Sequence, residues 1–130
     1  MATARSHMRI NRPAHEVWKA VSDAGAISKW FPGIETSNAT ATTRSCVMAG
    51  GATIEEEIVT NDSALRRFQY RITEGPMPVD FHLGTVDVLE DGEGALVIYS
   101  TDITPDEGAA MIGPASEGAL KELKRMLEEN

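Results

Sequence analysis

The sequence predicts an α+β fold in which a block of antiparallel strands packs one face against a long C-terminal helix. Three observations carry this. Six β-type segments follow one another between residues 34 and 103 with only short turns between them. The chain after Thr104 changes to an apolar stripe at helical spacing. Two short helical stretches precede the strand block. Strands in a block followed by a helix indicate a sheet covered on one face, since a helix stripe and a sheet face must each be buried against something.

The elements follow in order. Residues 2–11, including Ser6-His7-Met8, are short, mixed in polarity and compatible with a first strand. Pro13 opens a helical stretch to about Ser22, because proline is well tolerated in a first helical turn. Val17, Trp18 and Val21 make its apolar face. Asp23 is placed to cap a second short helix carrying Ile27, Trp30 and Phe31, which Pro32-Gly33 ends. Strands then cover about 34–40, 43–49, 52–60, 65–74, 79–90 and 95–103. The breaks are Gly50-Gly51, Asn61-Asp62-Ser63, Gly75-Pro76-Met77-Pro78 and Asp91-Gly92-Glu93-Gly94, and turns that short make a meander. Thr104-Pro105-Asp106-Glu107 reads as a capping box, with Thr104 as cap and Pro105 at the first helical position. Ile112, Ala115, Ala119, Leu120, Leu123, Met126 and Leu127 form the stripe of the final helix, opposite Glu117, Lys121, Lys124, Arg125 and Glu128. Gly113-Pro114 predicts a bend, because proline cannot donate to the helical ladder.

Composition narrows the function classes. The 130 residues suit a single domain over 1–130, and 42% hydrophobic with 25% charged residues is a globular balance. A net charge of −8 argues against nucleic acid and anionic membranes, both of which would repel it. Cys46 is the only cysteine, so no intramolecular disulfide forms, and its apolar neighbours favour a small buried hydrophobe over a nucleophile. No run approaches the roughly 18 apolar residues of a membrane helix, and no apolar signal segment opens the chain. Stable membrane insertion is not expected, and cytoplasmic residence follows by default. His7, His15 and His82 lack metal-ligand spacing, so no metal is expected. No phosphate loop or nucleophile elbow is present, and no cofactor is implied.

The element order, with the residues at its joints, resembles the START/Bet v 1-like (SRPBCC) superfamily, and within it the polyketide cyclase/dehydrase and lipid-transport group. The residues that carry the resemblance are Arg12-Pro13-Ala14-His15-Glu16-Val17-Trp18, the Trp30-Phe31-Pro32-Gly33 corner, and Arg44 followed by Gly50-Gly51 and Glu56. Further along come Asp62, Tyr70-Arg71-Ile72, Pro76-Met77-Pro78 and Gly118-Ala119-Leu120-Lys121-Glu122-Leu123. The resemblance implies a helix-grip fold of about seven strands wrapped around the last helix, with a ligand cavity between sheet and helix. Tyr99 departs from the pattern, standing where many similar sequences have Trp, which implies a more polar pocket. The superfamily spans lipid carriers, aromatase/cyclases, hormone receptors and chaperone activators, so function must be argued from the site.

Glu56 is the most informative residue. Ile54, Glu56 and Ile58 share one strand face, and two flanking isoleucines point that face inward. A carboxylate there is desolvated and needs a partner, for which Arg44 on the preceding strand is placed. The alternative is a solvated glutamate strand with Thr53, Glu55, Glu57 and Val59 inside. Tyr70 shares a face with Phe68 and Ile72, and Tyr99 with Val97, Thr101 and Ile103. If these faces look inward, two phenols enter the cavity; otherwise they are ordinary core tyrosines. His82 with Asp80 is a second acid–base candidate, although the outer, solvated face suits the pair better. Trp30, Phe31, Met77 and Phe81 are wall or mouth residues on this reading, or simply core, and Ile112 comes from the last helix.

Three functions remain open. One is binding or carriage of a small apolar or amphipathic molecule, such as a lipid, polyketide-like aromatic or isoprenoid, by a monomer or homodimer. A second is a cyclase/dehydrase- or isomerase-type enzyme in which Glu56 or His82 moves a proton. A third is an interaction module with a filled core and a functional outer surface.

Overall fold

The chain begins at one edge of a sheet and re-enters it at the other. A computed structural model describes residues 1–129. Strand β1 (Ala2–Ile10) leads into helix α1 (Ala14–Ser22) and a 3-10 helix (Ala24–Lys29). Six strands follow, β2 (Ile34–Ala39), β3 (Thr43–Met48), β4 (Thr53–Asp62), β5 (Arg67–Glu74), β6 (Phe81–Asp91) and β7 (Gly94–Thr104), and then α2 (Gly108–Glu128). All seven strands join one antiparallel sheet in the order β1-β7-β6-β5-β4-β3-β2. The α+β meander therefore stands as the residue pattern predicts, with a helix-grip arrangement of sheet and helix. The two short helices carry the chain from the β1 edge to the β2 edge.

The sheet is bent at defined places. Register shifts fall between Ile34 and Thr36 in β2, and at Glu55/Glu56 and Ile58/Thr60 in β4. An extra residue on one strand of a pair bends it and increases its twist. The β5–β6 ladder runs from Arg67↔Asp87 only to Tyr70↔Gly84, although both strands continue beyond it. These two strands part at one end of the sheet.

Two capping expectations are corrected. Thr104 does not cap α2: it is held in β7, paired with Phe81, and its carbonyl accepts the Asp80 N–H at 2.7 Å. The sheet register claims it, so α2 starts at Gly108 with Glu107 at the cap position and no side-chain cap. A Cβ at residue 108 would lie 2.5 Å from Ile103 Cδ1, so with any other residue the buried Ile103 side chain would have to shift. Asp23 likewise precedes the 3-10 helix without a side-chain hydrogen bond to it. Pro114 lies inside α2.

The core is concentrated at one end. Val17 and Val21 of α1, Phe68, Val86 and Val97 of the sheet, and Ala119, Leu120 and Leu123 of α2 are all buried. This end of α2 is also tied down: Lys124 Nζ donates to the Arg9 carbonyl at 2.8 Å, and Glu128 accepts the Asn11 N–H at 2.8 Å. At the other end Met111 is 66% exposed while Ile112 and Ala115 are half-buried. The stripe touches the sheet firmly along its C-terminal half and more loosely along the first. Among the described residues no helix is long and apolar enough to cross a membrane.

Candidate functional site

Where α2 lies loosely on the sheet, a cavity of about 260 Å³ opens between them. It is smaller than the roughly 300–1,000 Å³ of a typical small-molecule pocket. Its walls are apolar. Ile27 and Phe31 enter from the 3-10 segment, and Ile34, Met48, Ile54 and Ile72 from β2 to β5. Gly75, Pro76 and Met77 of the β5–β6 loop, with Met111, Ile112 and Ala115 of α2, complete the enclosure. Among the described residues that line it, only Arg44, Glu56, Tyr70, His82 and Tyr99 have polar side chains.

Arg44 and Glu56 are directly opposed on β3 and β4, and alternation turns both inward. Arg44 Nε donates to Glu56 Oε1 at 2.6 Å, and the two side chains are only 3% and 8% exposed. Arg44 Nη1 also donates to the Ala24 carbonyl at 3.4 Å. Its guanidinium lies 4.8 Å from the Tyr70 ring centre and 5.2 Å from that of Phe68, so aromatic faces replace part of its lost hydration. Burial pushes the Glu56 carboxyl up, further than the facing Arg44 pulls it down. Burial also opposes the Arg44 charge, but Glu56 and the tyrosines more than offset it, and its pKa is raised.

Tyr70 and Tyr99 share a hydrogen bond between their hydroxyls at the floor of the cavity. Burial holds the Tyr70 phenol well above its ordinary range and pushes Tyr99 up to about 12, so both are neutral. The Tyr70 ring packs closely against β6 at Gly84. A Cβ on Gly84 would come within 2.5 Å of its Cε1 and Cζ atoms, which makes residue 84 a glycine by close approach. Phe31 and Trp30 meet Tyr99 edge-on, with ring centres 6.4 and 6.5 Å away.

His82 corrects the sequence reading. It is not on the solvated face but 2% exposed, in the cavity lining. It fills the gap where β5 and β6 part: its Nδ1 accepts the Ile72 backbone N–H at 3.1 Å, in place of a backbone partner. Burial, aided by the Arg71 charge, lowers its pKa to about 4. The parity of β6 follows Val86 and Val88, both buried, and His82 shares their face. Phe81 is thereby turned to the opposite face, where the Arg71 guanidinium sits 5.6 Å from its ring centre, and it does not line the cavity.

Two further wall candidates belong to the packed core instead. Trp30 and Phe68 meet Val21, Val86 and the far sides of Tyr70 and Tyr99 in a seam with no room for water. Phe31, Glu56, Tyr70, Met77, Tyr99 and Ile112 do line the cavity. Cys46 is buried beside them, its thiol pushed up to about 11 by burial. The sequence reading did not assign Ile27, Ile34, Met48 or Met111 to the cavity wall; they come from separate elements whose common destination only the tertiary fold reveals.

A bent antiparallel sheet closed by one long helix over an apolar chamber with a polar floor defines a helix-grip domain. The chain belongs to the polyketide cyclase/dehydrase and lipid-transport family, which it matches over residues 1–128. Among solved structures it is similar to the XoxI protein of Bacillus cereus at 28% identity, with a TM-score of 0.90 over 97% of this chain and 95% of that one. A START superfamily protein from Mycobacterium smegmatis shares the fold at 13% identity, with a TM-score of 0.84 over 99% of both chains. The Zhui aromatase/cyclase of Streptomyces sp. R1128 shares it at 19% identity, with a TM-score of 0.79 over 97% of this chain and 93% of that one. No curated protein matches the sequence.

Proposed function

We propose that this protein binds and carries a small, mostly apolar molecule inside the cavity between the sheet and α2. The observation that carries this reading is the segregation of the lining, with apolar walls on all sides and polar groups gathered on the floor. Such a chamber takes its affinity from the walls and its orientation from a few fixed polar atoms. The size of about 260 Å³ favours a compact ligand, such as a molecule of one or two fused rings or a short branched chain, over a full phospholipid. The net charge of −8 supports a partner that is neither nucleic acid nor an anionic membrane. A monomer or homodimer in the cytoplasm suffices for this role. An interaction module would call for a filled core, and the cavity counts against it.

Native mass spectrometry of protein purified without detergent tests the reading. A retained mass that is released on denaturation is the expected result. Repeated preparations with no adduct, combined with no uptake of small bicyclic aromatics, would overturn it.

A proton-transfer enzyme on the same cavity is supported by one observation, the Glu56 carboxyl raised by burial beside the apolar walls. The fate of the retained molecule separates the two readings: a carrier returns it unchanged, and an enzyme converts it. Glu56→Gln then removes the conversion and keeps the uptake.

A further inference from the structure

His82 has two ring nitrogens with different fates. Nδ1 is committed to the Ile72 backbone N–H at 3.1 Å. A backbone amide is always a donor, so Nδ1 is the unprotonated nitrogen, and in the neutral ring the proton sits on Nε2. The opposite ring orientation would set a carbon-bound hydrogen against the Ile72 N–H and leave that amide without an acceptor. The tautomer is therefore dictated by β5. Nε2 is fully buried and has no hydrogen-bond partner among the described residues, while the ring lines the cavity.

The surroundings say what this donor faces. The Tyr70 ring centre lies 5.3 Å from that of His82, and Tyr70 is hydrogen-bonded to Tyr99. Two hydroxyls bonded to each other leave one O–H proton to donate outward. Glu56, the acceptor of the floor, is engaged by Arg44 through Oε1. The His82 side of the cavity thus offers hydrogen-bond donors from neutral groups; the charges around it are Arg44, already paired with Glu56, and Arg71, which acts on the ring from outside the lining.

We propose that His82 is the specificity-determining residue of the cavity, donating its Nε2–H to a carbonyl oxygen of an otherwise apolar ligand. This deepens the binding reading above and rests on it. A ligand of the same shape without that oxygen leaves a buried donor unpaired, and sites of this kind discriminate strongly against such analogues. An ammonium group finds no acceptor on His82. A carboxylate meets a neutral ring at His82, and the cation of the lining, Arg44, is already paired with Glu56. The ligand class is an aromatic or alicyclic ketone or aldehyde.

The test uses two probes of equal shape, 2-acetylnaphthalene and 2-isopropenylnaphthalene, which differ only in C=O against C=CH2. Wild-type protein should bind the ketone about tenfold or more tightly than the olefin by fluorescence titration. His82→Asn places an amide oxygen near the Nδ1 position and lacks the distal donor, so the ratio should fall to near one. His82→Gln places its amide N–H near the Nε2 position and should retain most of the ratio. In the wild type, the His82 Nε2–H resonance should move on adding the ketone and stay in place with the olefin, a readout that needs no variant to fold. Equal binding of both probes by the wild type, or an unchanged ratio in His82→Asn, overturns the role of His82 and leaves the cavity reading standing. Binding of neither probe overturns both.

Discussion

The two ends of the space beneath α2 are built differently. At the Leu120 end, Ala119, Leu120 and Leu123 are fully buried against the sheet, and the helix is fastened to β1 through Lys124 and to Asn11, just after β1, through Glu128. About 13 Å along the axis, Met111 is 66% exposed and the facing strands β5 and β6 have parted. The same helix and sheet thus make a dense core at one end and a chamber at the other. On the binding reading proposed above, the difference teaches how the molecule separates stability from recognition: burial is concentrated at one end, and packing is relaxed where a ligand would sit. The Arg44–Glu56 pair and the two tyrosines stand at the boundary, touching the cavity on one side and, for Arg44 and the tyrosines, the dry seam on the other.

The sharpest way to break the comparison is to truncate one aromatic at the packed end and one long side chain at the mouth. Phe68→Ala should cost about 3–5 kcal/mol, because the seam around it cannot collapse without opening a void. Met77→Ala, at the rim, should cost less than about 1 kcal/mol, since that side chain is only half-buried on a loop. Urea unfolding of the two variants measures both. Equal losses would mean that the mouth contributes to the core and that the two ends are not distinct.

The boundary itself is tested by the ion pair. Arg44→Met alone leaves Glu56 buried without its cation and should cost about 3–5 kcal/mol. Arg44→Met combined with Glu56→Leu removes both charges and should recover most of that loss. A double-mutant cycle read by urea midpoints decides the matter. If the double variant is no more stable than the single one, the pair is contributing packing and not merely compensating two desolvated charges.

How much of this was legible beforehand differs between residues. Alternation along Ile54-Glu56-Ile58 places Glu56 inward and Arg44 opposite it from local pattern alone, because flanking isoleucines mark the buried face. The same reasoning misleads in β6. Phe81 is the larger apolar residue and His82 the polar one, so the tip of the strand suggests the wrong face. Its parity is decided further along, by Val86 and Val88 in the packed end. Thr104 likewise reads as a helix cap by local chemistry, and the sheet register overrides it. Errors gather where an element's end is ruled by distant pairing.

Acid offers the next comparison, since His82 belongs to the hollow end. Its folded pKa of about 4 lies below the ordinary value of about 6.5, so between the two the unfolded chain binds the extra proton. Stability from this group is present above that ordinary value and is lost as pH falls through the window. A depression of this size corresponds to about 3 kcal/mol. Glu56 acts in the opposite sense, because its raised folded pKa lets the native state gain a proton first as pH falls. His82→Asn isolates the histidine part. The stability of wild type relative to this variant should narrow by about 3 kcal/mol between about pH 7 and about pH 4, measured by urea unfolding. A gap that does not change with pH would place His82 in water in the folded chain.

The smallest stability effect is the most informative about recognition, and it comes from neighbouring residues of α2. Ala115 lines the cavity, and Ser116 is buried against packed structure. Ala115→Leu extends a side chain into open space. The burial it gains offsets the order it imposes, and stability should stay within about 1 kcal/mol of wild type. Uptake of 2-acetylnaphthalene should nevertheless be lost, because the added carbons occupy the ligand's volume. Ser116→Leu pushes into filled space and should cost about 1–3 kcal/mol by overpacking. Both are read from urea midpoints and fluorescence titration on the same samples. If Ala115→Leu destabilises as much as Ser116→Leu, the chamber has no spare room at that wall. If it is tolerated and uptake persists, the ligand sits elsewhere and the hollow end is not the binding site.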